Sequence, residues 1–468
     1  MSVARGETEP VRQSGMLTGG LAVWPRLRPV VAAVGALAVA MAVVLVAKGA
    51  QAAPPAGAGP SAWTTLQGAA DRNPVVPVSG ARAASLAASW RLPTGGSIVA
   101  APAIVRGVAY FGSMDHRVYA VNVASGREIW SFQADNQVMS EPLVVGGRVF
   151  FSSGNKGYTG TGAARVRGTG PSALYALDAR SGRLLWTFPT VGEAMPTPAY
   201  AGGVLYEPTG GGYFYAVDAA TGRLLWKLHE GAVTSMSSPA IAGGLAVFGG
   251  VWAGAPSFYA VDLQTHRIRW TVPIPGAWGG PDDLSPSVVG GIAYLQVPEG
   301  SSTQTVMELA VRLSTGLLVW QRTLGAGAPN YHGGEEAGVT SVAGGVAYVG
   351  SPVLHGLWAL SAATGQTIWH SPLPVSVRAA PAVTEHHVYA VSAGRLYALN
   401  RASGALEGYL RIGQRPAESD ANYLAIPCAS PAPVVVGKTL LVAGGAQNVL
   451  VALPLARLLH AAPPPVAR

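Results

Sequence analysis

Two sets of polar and sulfur-containing residues occupy matched places in a repeated block of this sequence. The block is an Xaa-Pro dipeptide followed by an apolar run, and in one copy Thr340 stands where the others have proline. Three residues before this place, the copies have Val99, Met139, Met195, Met236, Asp283, Ala337, Arg378 and Ser430. Five residues before it, they have Ser97, Gln137, Glu193, Thr234, Pro281, Glu335, Ser376 and Cys428. Side chains two residues apart lie on the same face of a strand, so the two sets are expected to form two neighbouring rings. Carboxylates in these rings could transfer protons, and the arginine could bind an anion.

The elements that must position these residues are β-hairpins. Near-copies of the segment 174–186 recur at residues 118–130, 214–226, 258–270, 308–320 and 357–369, with a degenerate copy at 396–408. Each has alternating aromatic and β-branched residues, a turn that commonly ends in glycine and, except in the last copy, a final tryptophan. These features predict two strands joined by a tight turn. The Xaa-Pro block with its own turn adds a second hairpin, so each unit has four strands.

The number of blocks predicts a closed ring. Their reference places are Pro102, Pro142, Pro198, Pro239, Pro286, Thr340, Pro381 and Pro433. The last block has three strands, and residues 89–92 supply a strand without a blade of its own. We therefore predict an all-β fold over residues 86–456, an eight-bladed β-propeller of four-stranded blades in which the N-terminal strand completes the last blade.

The repeated turn carries a family resemblance. Its pattern, Ala-Leu/Val-Asp-Ala-Xaa-Ser/Thr-Gly-Xaa-Xaa-Xaa-Trp, resembles the tryptophan-docking repeat of the pyrroloquinoline quinone (PQQ) propeller superfamily and covers nearly all of the chain after the N-terminal region. The resemblance implies that the indoles pack between blades. It leaves function open, because the superfamily includes quinone-dependent alcohol dehydrogenases, an outer-membrane assembly lipoprotein and tetrathionate hydrolases of acidophilic sulfur oxidisers.

The N-terminal region has the pattern of an export segment. Arginines precede an apolar run over residues 30–47, and Ala50-Gln51-Ala52 offers a small-Xaa-small cleavage site. We expect residues 1–52 to be a signal peptide, with a retained membrane anchor left open, and residues 53–85 to be a flexible linker. Residues 457–468 are expected to form a tail. The propeller is then periplasmic or extracellular, and it is associated with a membrane only if the N-terminal segment is retained.

The amino-acid composition disfavours some of the possible functions. Charged residues are 12% of the chain and the net charge is +8, yet the basic residues are scattered, which disfavours nucleic-acid binding. Only 23 residues are Asp or Glu, which suits life in acid and equally suits a GC-rich genome. Cys428 is the only cysteine, so the chain lacks the vicinal pair that the resemblance implies for many quinone-dependent alcohol dehydrogenases. It also lacks the lipid-attachment cysteine of the assembly lipoprotein.

The candidate site is the mouth of the propeller channel. We predict Asp283 as the catalytic base and assign substrate binding to Arg378, Met139, Met195, Met236, Glu193, Glu335 and Cys428. Asp283 and Arg378 lie two blades apart and could share an anionic ligand. Structural alternatives remain open for every member, because Asp283 could pair with Arg378, the glutamates could be solvated, the methionines could fill the core and the thiol could be inert.

Two glycine-rich insertions are expected to border the same mouth. Residues 154–170 carry Lys156, Arg165 and Arg167, and residues 325–338 carry His332 and Glu335. Long loops on a rigid ring often serve recognition. No grouping of ligand residues in the sequence predicts a metal.

Three functions remain for this architecture. The favoured hypothesis is an exported hydrolase similar to tetrathionate hydrolase, which acts on a small sulfur oxyanion without a cofactor. The second is a protein-binding scaffold that resembles the outer-membrane assembly lipoprotein. The third is a PQQ-dependent dehydrogenase, which would need calcium held by residues such as Glu193, Asn422 and Asp283. Assembly as a homodimer is left open.

Overall fold

The computed structural model describes residues 89–459, except 156, 160–165, 252–255, 275–280, 301–302, 328–338, 352, 378, 393, 413–430 and 444–447. Within these residues, eight four-stranded antiparallel sheets form the eight blades of a β-propeller. The all-β, eight-bladed prediction is confirmed. The predicted signal segment and linker, residues 1–52 and 53–85, lie outside the described residues.

The first four blades, numbered along the chain, follow strand β1 (Trp90–Pro93). Blade one consists of β2 (Ala103–Val105), β3 (Val108–Ser113), β4 (Arg117–Asn122) and β5 (Glu128–Gln133). Blade two consists of β6 (Leu143–Val145), β7 (Arg148–Ser153), β10 (Ala173–Asp178) and β11 (Leu184–Pro189), with β8 (Tyr158–Thr159) and β9 (Val166–Arg167) forming a small separate sheet. Blade three consists of β12 (Ala199–Ala201), β13 (Val204–Pro208), β14 (Tyr213–Asp218) and β15 (Leu224–His229). Blade four consists of β16 (Ala240–Ala242), β17 (Leu245–Gly250), β18 (Ser257–Asp262) and β19 (Arg267–Pro273).

The remaining blades continue the same order. Blade five consists of β20 (Ser287–Val289), β21 (Ile292–Glu299), β22 (Gln304–Arg312) and β23 (Leu318–Gly327). Blade six consists of β24 (Ser341–Ala343), β25 (Val346–Gly350), β26 (His355–Ser361) and β27 (Thr367–Ser376). Blade seven consists of β28 (Ala382–Val383), β29 (His387–Ser392), β30 (Arg395–Asn400) and β31 (Leu406–Arg411). Blade eight consists of β32 (Val434–Val436), β33 (Thr439–Ala443), β34 (Val449–Pro454) and β1.

The ring closes through the N-terminal strand, as predicted. Strand β1 pairs antiparallel with β34, with Trp90 opposite Ala452 and Pro93 opposite Val449. Trp90 then contacts the first blade, because its indole Nε1 donates to the Val123 carbonyl at 2.8 Å. The pairing covers the edge that β34 would otherwise expose.

Tryptophans on the outer strands join successive blades. Six of them donate an indole hydrogen bond to a carbonyl in the next blade, at distances of 2.6–3.3 Å: Trp90, Trp130, Trp186, Trp270, Trp320 and Trp369. Each indole lies against a turn glycine with positive φ, as Trp130 lies against Gly182 (φ +72°). A Cβ on Gly182 would approach the Trp130 ring to 2.7 Å, so this turn needs glycine both for its backbone conformation and for space.

The boundary between blades three and four departs from this pattern. His266 occupies the turn position that glycine holds in the other copies, and its φ is +58°. Trp226 stacks on the His266 ring, with centroids 4.3 Å apart and an interplanar angle of 19°. A stacked imidazole therefore replaces the glycine surface at this boundary.

The boundary between blades seven and eight lacks the tryptophan, since Gly408 occupies its place in the repeat. The short helix α1 (Leu455–Leu459) lies here, with Leu458 buried among core residues such as Ile412 and Val435. The Leu458 carbonyl oxygen would be 2.6 Å from a Cβ on Gly408. The helix thus packs beside the position that a tryptophan fills elsewhere, and it extends into the region that the sequence analysis assigns to the tail. Across the part of the chain that the structure describes, no helix is both long and apolar enough to cross a bilayer.

Candidate active site at the channel mouth

The structure describes five of the eight predicted site residues. Met139, Met195, Met236, Glu193 and Asp283 are placed, and all precede the first strands of their blades. Arg378, Glu335 and Cys428 lie outside the described residues. The predicted pairing of Asp283 with Arg378 therefore stays a prediction.

The ring methionines contact one another. Val99, Met139 and Met195 are buried in one apolar cluster, and the partly buried Met114 and Met236 pack against it. Four of these five residues stand three positions before the reference proline of their block. Their shared position in the repeat is what predicted that they belong to one ring. Met114 was missed because it lies in the turn between β3 and β4, where no repeat register applies. The cluster gathers thioether sulfur from four successive blades, and Met139 and Met195 are each only 1% exposed.

An arginine from blade two joins two of the predicted carboxylates. Arg167 Nε lies 2.7 Å from Glu193 Oε1, and Arg167 Nη1 lies 4.0 Å from Asp283 Oδ1. All three side chains are buried, with at most 8% of their surface exposed. Glu193 is therefore a buried ion-paired residue and not a solvated rim charge. The sequence marked Arg167 only as part of an insertion, because nothing in its spacing predicts contact with blades three and five.

The small sheet of β8 and β9, which we call the blade-two arm (described residues 157–159 and 166–170), fixes the backbone of Arg167. The backbone amide of Arg167 donates to the Gly210 carbonyl at 2.9 Å, and the Arg167 carbonyl accepts from the Glu193 amide at 2.8 Å. A Cβ on Gly210 would lie 2.5 Å from the Arg167 carbonyl oxygen, and a Cβ on Gly168 would lie 2.5 Å from the Glu193 amide nitrogen. The arm can approach this closely because glycine occupies these positions.

Asp283 is held by a different element. It ends the 3-10 helix Pro281–Asp283, which lies against β17 so tightly that any side chain on Gly249 would overlap the Pro281 carbonyl. The Ser237 hydroxyl donates to the carbonyl of the next residue, Leu284. Oδ1 of Asp283 is buried and accepts no hydrogen bond from the described residues. A buried carboxylate oxygen in this condition lacks a partner that a bound water molecule or ligand would supply.

A chain of hydrogen bonds connects blades two to five at the residues directly before the prolines. The residue before each proline donates its amide to the hydroxyl of its counterpart in the next blade, from Glu141 to Thr197, from Thr197 to Ser238 and from Ser238 to Ser285, at 2.8–2.9 Å. The sequence signal was available, since polar residues recur directly before the prolines. This chain links the segments that lead into the first strands of blades two to five.

Burial of the carboxyl group has a large effect on the pKa of two glutamates outside the predicted site, Glu230 and Glu308. Burial raises the pKa of Glu230 to about 8, partly offset by the backbone amides of Glu230 and Phe214. Burial likewise raises the pKa of Glu308 to about 8, opposed by hydrogen bonds from Thr340 and Gln296. Both carboxyl groups are therefore mainly protonated at neutral pH.

The described residues do not fit the calcium site of a quinone-dependent dehydrogenase. Glu193 and Asp283, the two carboxylates proposed for it, have the Arg167 guanidinium at 2.7 and 4.0 Å. Calcium needs oxygen ligands at about 2.3–2.6 Å, so a cation between them would be repelled by the arginine. Among the described residues, no cluster of three or more His, Cys, Asp or Glu is placed to bind a metal.

The closed ring, its docked tryptophans and its polar mouth define a propeller of PQQ-type repeats. The chain belongs to the family described as outer membrane protein assembly factor BamB, whose model matches residues 58–166, 154–289 and 303–456.

Individual relatives differ in function. Tetrathionate hydrolase of Acidithiobacillus ferrooxidans is 29% identical over 384 residues, covering 77% of this chain and 73% of that protein. BamB of Escherichia coli K12 is 33% identical over 239 residues, covering 48% of this chain and 56% of that protein. The solved quinohemoprotein alcohol dehydrogenase from Comamonas testosteroni has a TM-score of 0.61 at 13% identity, covering 86% of this chain and 82% of the other, which is a likeness of fold alone.

Proposed function

We propose that this protein is an exported hydrolase of a small sulfur oxyanion, which converts tetrathionate and water to thiosulfate, sulfur and sulfate at the channel mouth. The observation that carries the proposal is the Asp283 carboxylate, buried with Oδ1 lacking a hydrogen bond among the described residues. The tetrathionate hydrolase relative, which aligns with 77% of the chain, supports the substrate class. The proposal needs no metal or quinone.

The predicted site residues are proposed to match the divalent sulfur chain and a sulfonate of such a substrate. Met139, Met195 and Met236 are proposed to supply thioether sulfur for the divalent sulfur chain, and they belong to one apolar cluster. Arg378 is proposed to bind a sulfonate. Glu193, Glu335 and Cys428 complete the proposed binding set.

The proposed reaction begins with attack of water on a terminal sulfonate sulfur. An oxygen–sulfur bond forms, the adjacent sulfur–sulfur bond breaks, and its electron pair leaves with the divalent sulfur. Asp283 accepts a proton from the attacking water. The products are hydrogen sulfate and a disulfane monosulfonate, which separates into sulfur and thiosulfate. Atoms and charge balance without an oxidant or reductant.

The test is release of thiosulfate and sulfate from tetrathionate by the purified full chain between pH 2 and pH 7. We expect release by the wild type and a loss of at least about a thousandfold in kcat for Asp283→Asn, in which an amide cannot accept the proton. Glu128→Gln on the exposed part of β5 is the matched control and should retain activity. Absence of release at every pH would refute the hydrolase, as would full activity of a folded Asp283→Asn variant.

The family match favours one alternative function, a scaffold that binds other proteins. Apolar side chains are exposed on the outer face of blade five, where Leu317, Leu318 and Val319 follow one another. Under this alternative, the chain co-purifies with a defined partner, and substitution of these three residues by serine releases it. An unchanged complex would argue against this surface.

Export is part of the proposal. We expect the mature protein to be recovered outside the cytoplasm with an N-terminus after residue 52. N-terminal sequencing of the fractionated protein tests this, and recovery of the intact chain in the membrane fraction would favour a retained anchor instead.

A further inference from the structure

We infer that Arg167 is a positioning residue of this site, and that the blade-two arm which carries it is part of the catalytic machinery. Its guanidinium holds two carboxylates from different blades in one cluster, at 2.7 Å from Glu193 and 4.0 Å from Asp283. The inference concerns the same site as the proposed hydrolase and rests on that function for its kinetic readout.

The cluster assembles three elements that are distant in sequence. Arg167 comes from the arm of blade two, Glu193 precedes the first strand of blade three, and Asp283 ends the 3-10 helix before blade five. The two carboxylates therefore skip blade four, and the arginine side chain spans that gap. A residue that connects separate blades at the mouth can fix the relative position of the groups they carry.

The backbone of the arm allows the arginine little freedom. Both the amide and the carbonyl of Arg167 are hydrogen-bonded, to Gly210 and Glu193, and the next amide, of Gly168, donates to the Gly157 carbonyl at 2.7 Å. The guanidinium carbon also lies 5.7 Å from the centre of the Tyr158 ring. These contacts hold the charged group where both carboxylates can reach it.

The two ion pairs are unequal, and the inequality suits a positioning role. The short contact to Glu193 neutralises a fully buried carboxylate, whereas the contact to Asp283 is long and leaves Oδ1 without a hydrogen bond. A base held by attraction at 4.0 Å keeps that oxygen available to water. Glu193 anchors the arginine, and the arginine orients Asp283.

The kinetic test uses five variants of the full chain assayed with tetrathionate. We expect Arg167→Met to lower kcat about a hundredfold with little change in KM, because the base is displaced while the substrate contacts remain. Arg167→Lys should recover part of the loss, since it keeps the charge but not the planar geometry. Arg180→Met, at an exposed turn of the same blade, is the matched control and should behave as wild type.

The fourth variant separates positioning from simple charge neutralisation. Arg167→Met leaves the Glu193 carboxylate buried without its cation, and that change alone can disturb the structure. The double variant Arg167→Met/Glu193→Gln removes the isolated charge. If kcat of the double variant stays about a hundredfold below that of Glu193→Gln alone, the positioning role stands. If the double variant recovers to the level of Glu193→Gln, the role is structural and the inference is overturned.

A thermal double-mutant cycle tests the contact without any assay of hydrolysis. The Tm is measured for wild type, Arg167→Met, Asp283→Asn and the double variant. Non-additive shifts support the coupling of Arg167 to Asp283 even if the wild type releases no thiosulfate, in which case only the hydrolase proposal fails. Additive shifts overturn the inference whatever the activity.

Discussion

The ring of docking tryptophans and the channel mouth are built from the same repeats. The tryptophan ring is nearly uniform, whereas each blade brings a different pair of side chains to the mouth. Six tryptophans make the same indole-to-carbonyl contact with the next blade. At the mouth, the matched places hold methionine, glutamate and aspartate in different blades. Repetition at the outer ring therefore serves closure, and departure from repetition at the mouth creates chemical differences. Stability and activity should separate along this division.

The largest effect of a single substitution on stability is expected at the outer ring. Trp270→Ala removes a buried indole that contacts Gly316 and donates to the Leu313 carbonyl at 2.6 Å. Loss of such a side chain should lower the free energy of unfolding by about 3–5 kcal/mol. Denaturant unfolding measures this change, while kcat per folded molecule should stay near the wild-type value. Normal stability of Trp270→Ala would contradict the separation of stability from activity. Loss of activity in a folded Trp270→Ala variant would contradict it too.

The sequence predicts the fold because its signals are local and repeated. Turn chemistry, strand alternation and the missing fourth strand of the last blade predict the closure by Trp90 without any knowledge of long-range contacts. The same register predicts the grouping of the ring methionines. The position of Arg167 could not be predicted, because it lies in an insertion and its partners are set by how the arm folds over blade three.

Glu308 and Thr340 were only partly predictable from the sequence. Glu308 stands where the other copies of the hairpin have apolar residues, namely Val118, Leu174, Phe214, Phe258, Leu357 and Leu396. Thr340 stands where the other blocks have proline, and its hydroxyl donates to Glu308. Each departure is visible in the repeats, but only the structure shows that the two residues are partners across the boundary of blades five and six.

The second prediction concerns the pH dependence of stability and follows from Glu230 and Glu308, whose carboxyl groups are buried. The pKa values of Glu230 and Glu308 are raised from 4.5 to about 8 in the folded state. Between these values the unfolded chain ionises and the folded chain stays protonated, so the stability contribution is full below about pH 4.5 and is lost as the pH rises to about 8. Each pKa unit corresponds to about 1.4 kcal/mol, so the combined loss should reach several kcal/mol. Tm measured from pH 8 down to pH 4.5 should rise.

The rise in Tm should stop when the pH falls below about 4. Hydrogen bonds from Ser181, Thr221 and Thr265 lower the pKa values of the turn aspartates Asp178, Asp218 and Asp262, respectively, below 3.8, and their contribution is lost as the pH falls further. The Tm should therefore be highest near pH 4. Glu308→Gln keeps a polar group at this position but cannot ionise, so it should flatten the slope between pH 4.5 and 8. A variant with the wild-type slope would remove Glu308 from the explanation.

The smallest effect is expected where the outer ring departs from its own pattern. His266→Gly removes a ring that stacks on Trp226 at 4.3 Å, a contact of about 0.5–1.5 kcal/mol, but it also relieves the cost of a non-glycine residue at φ +58°, about 1–2 kcal/mol. The two terms nearly cancel, so the free energy of unfolding should change by less than about 1 kcal/mol. The reverse change, Gly182→His, should destabilise far more, because its Cβ would lie 2.7 Å from the Trp130 ring. If His266→Gly were as harmful as Trp270→Ala, the stacked imidazole would be essential to closure, and uniformity of the outer ring would not be what stabilises the propeller.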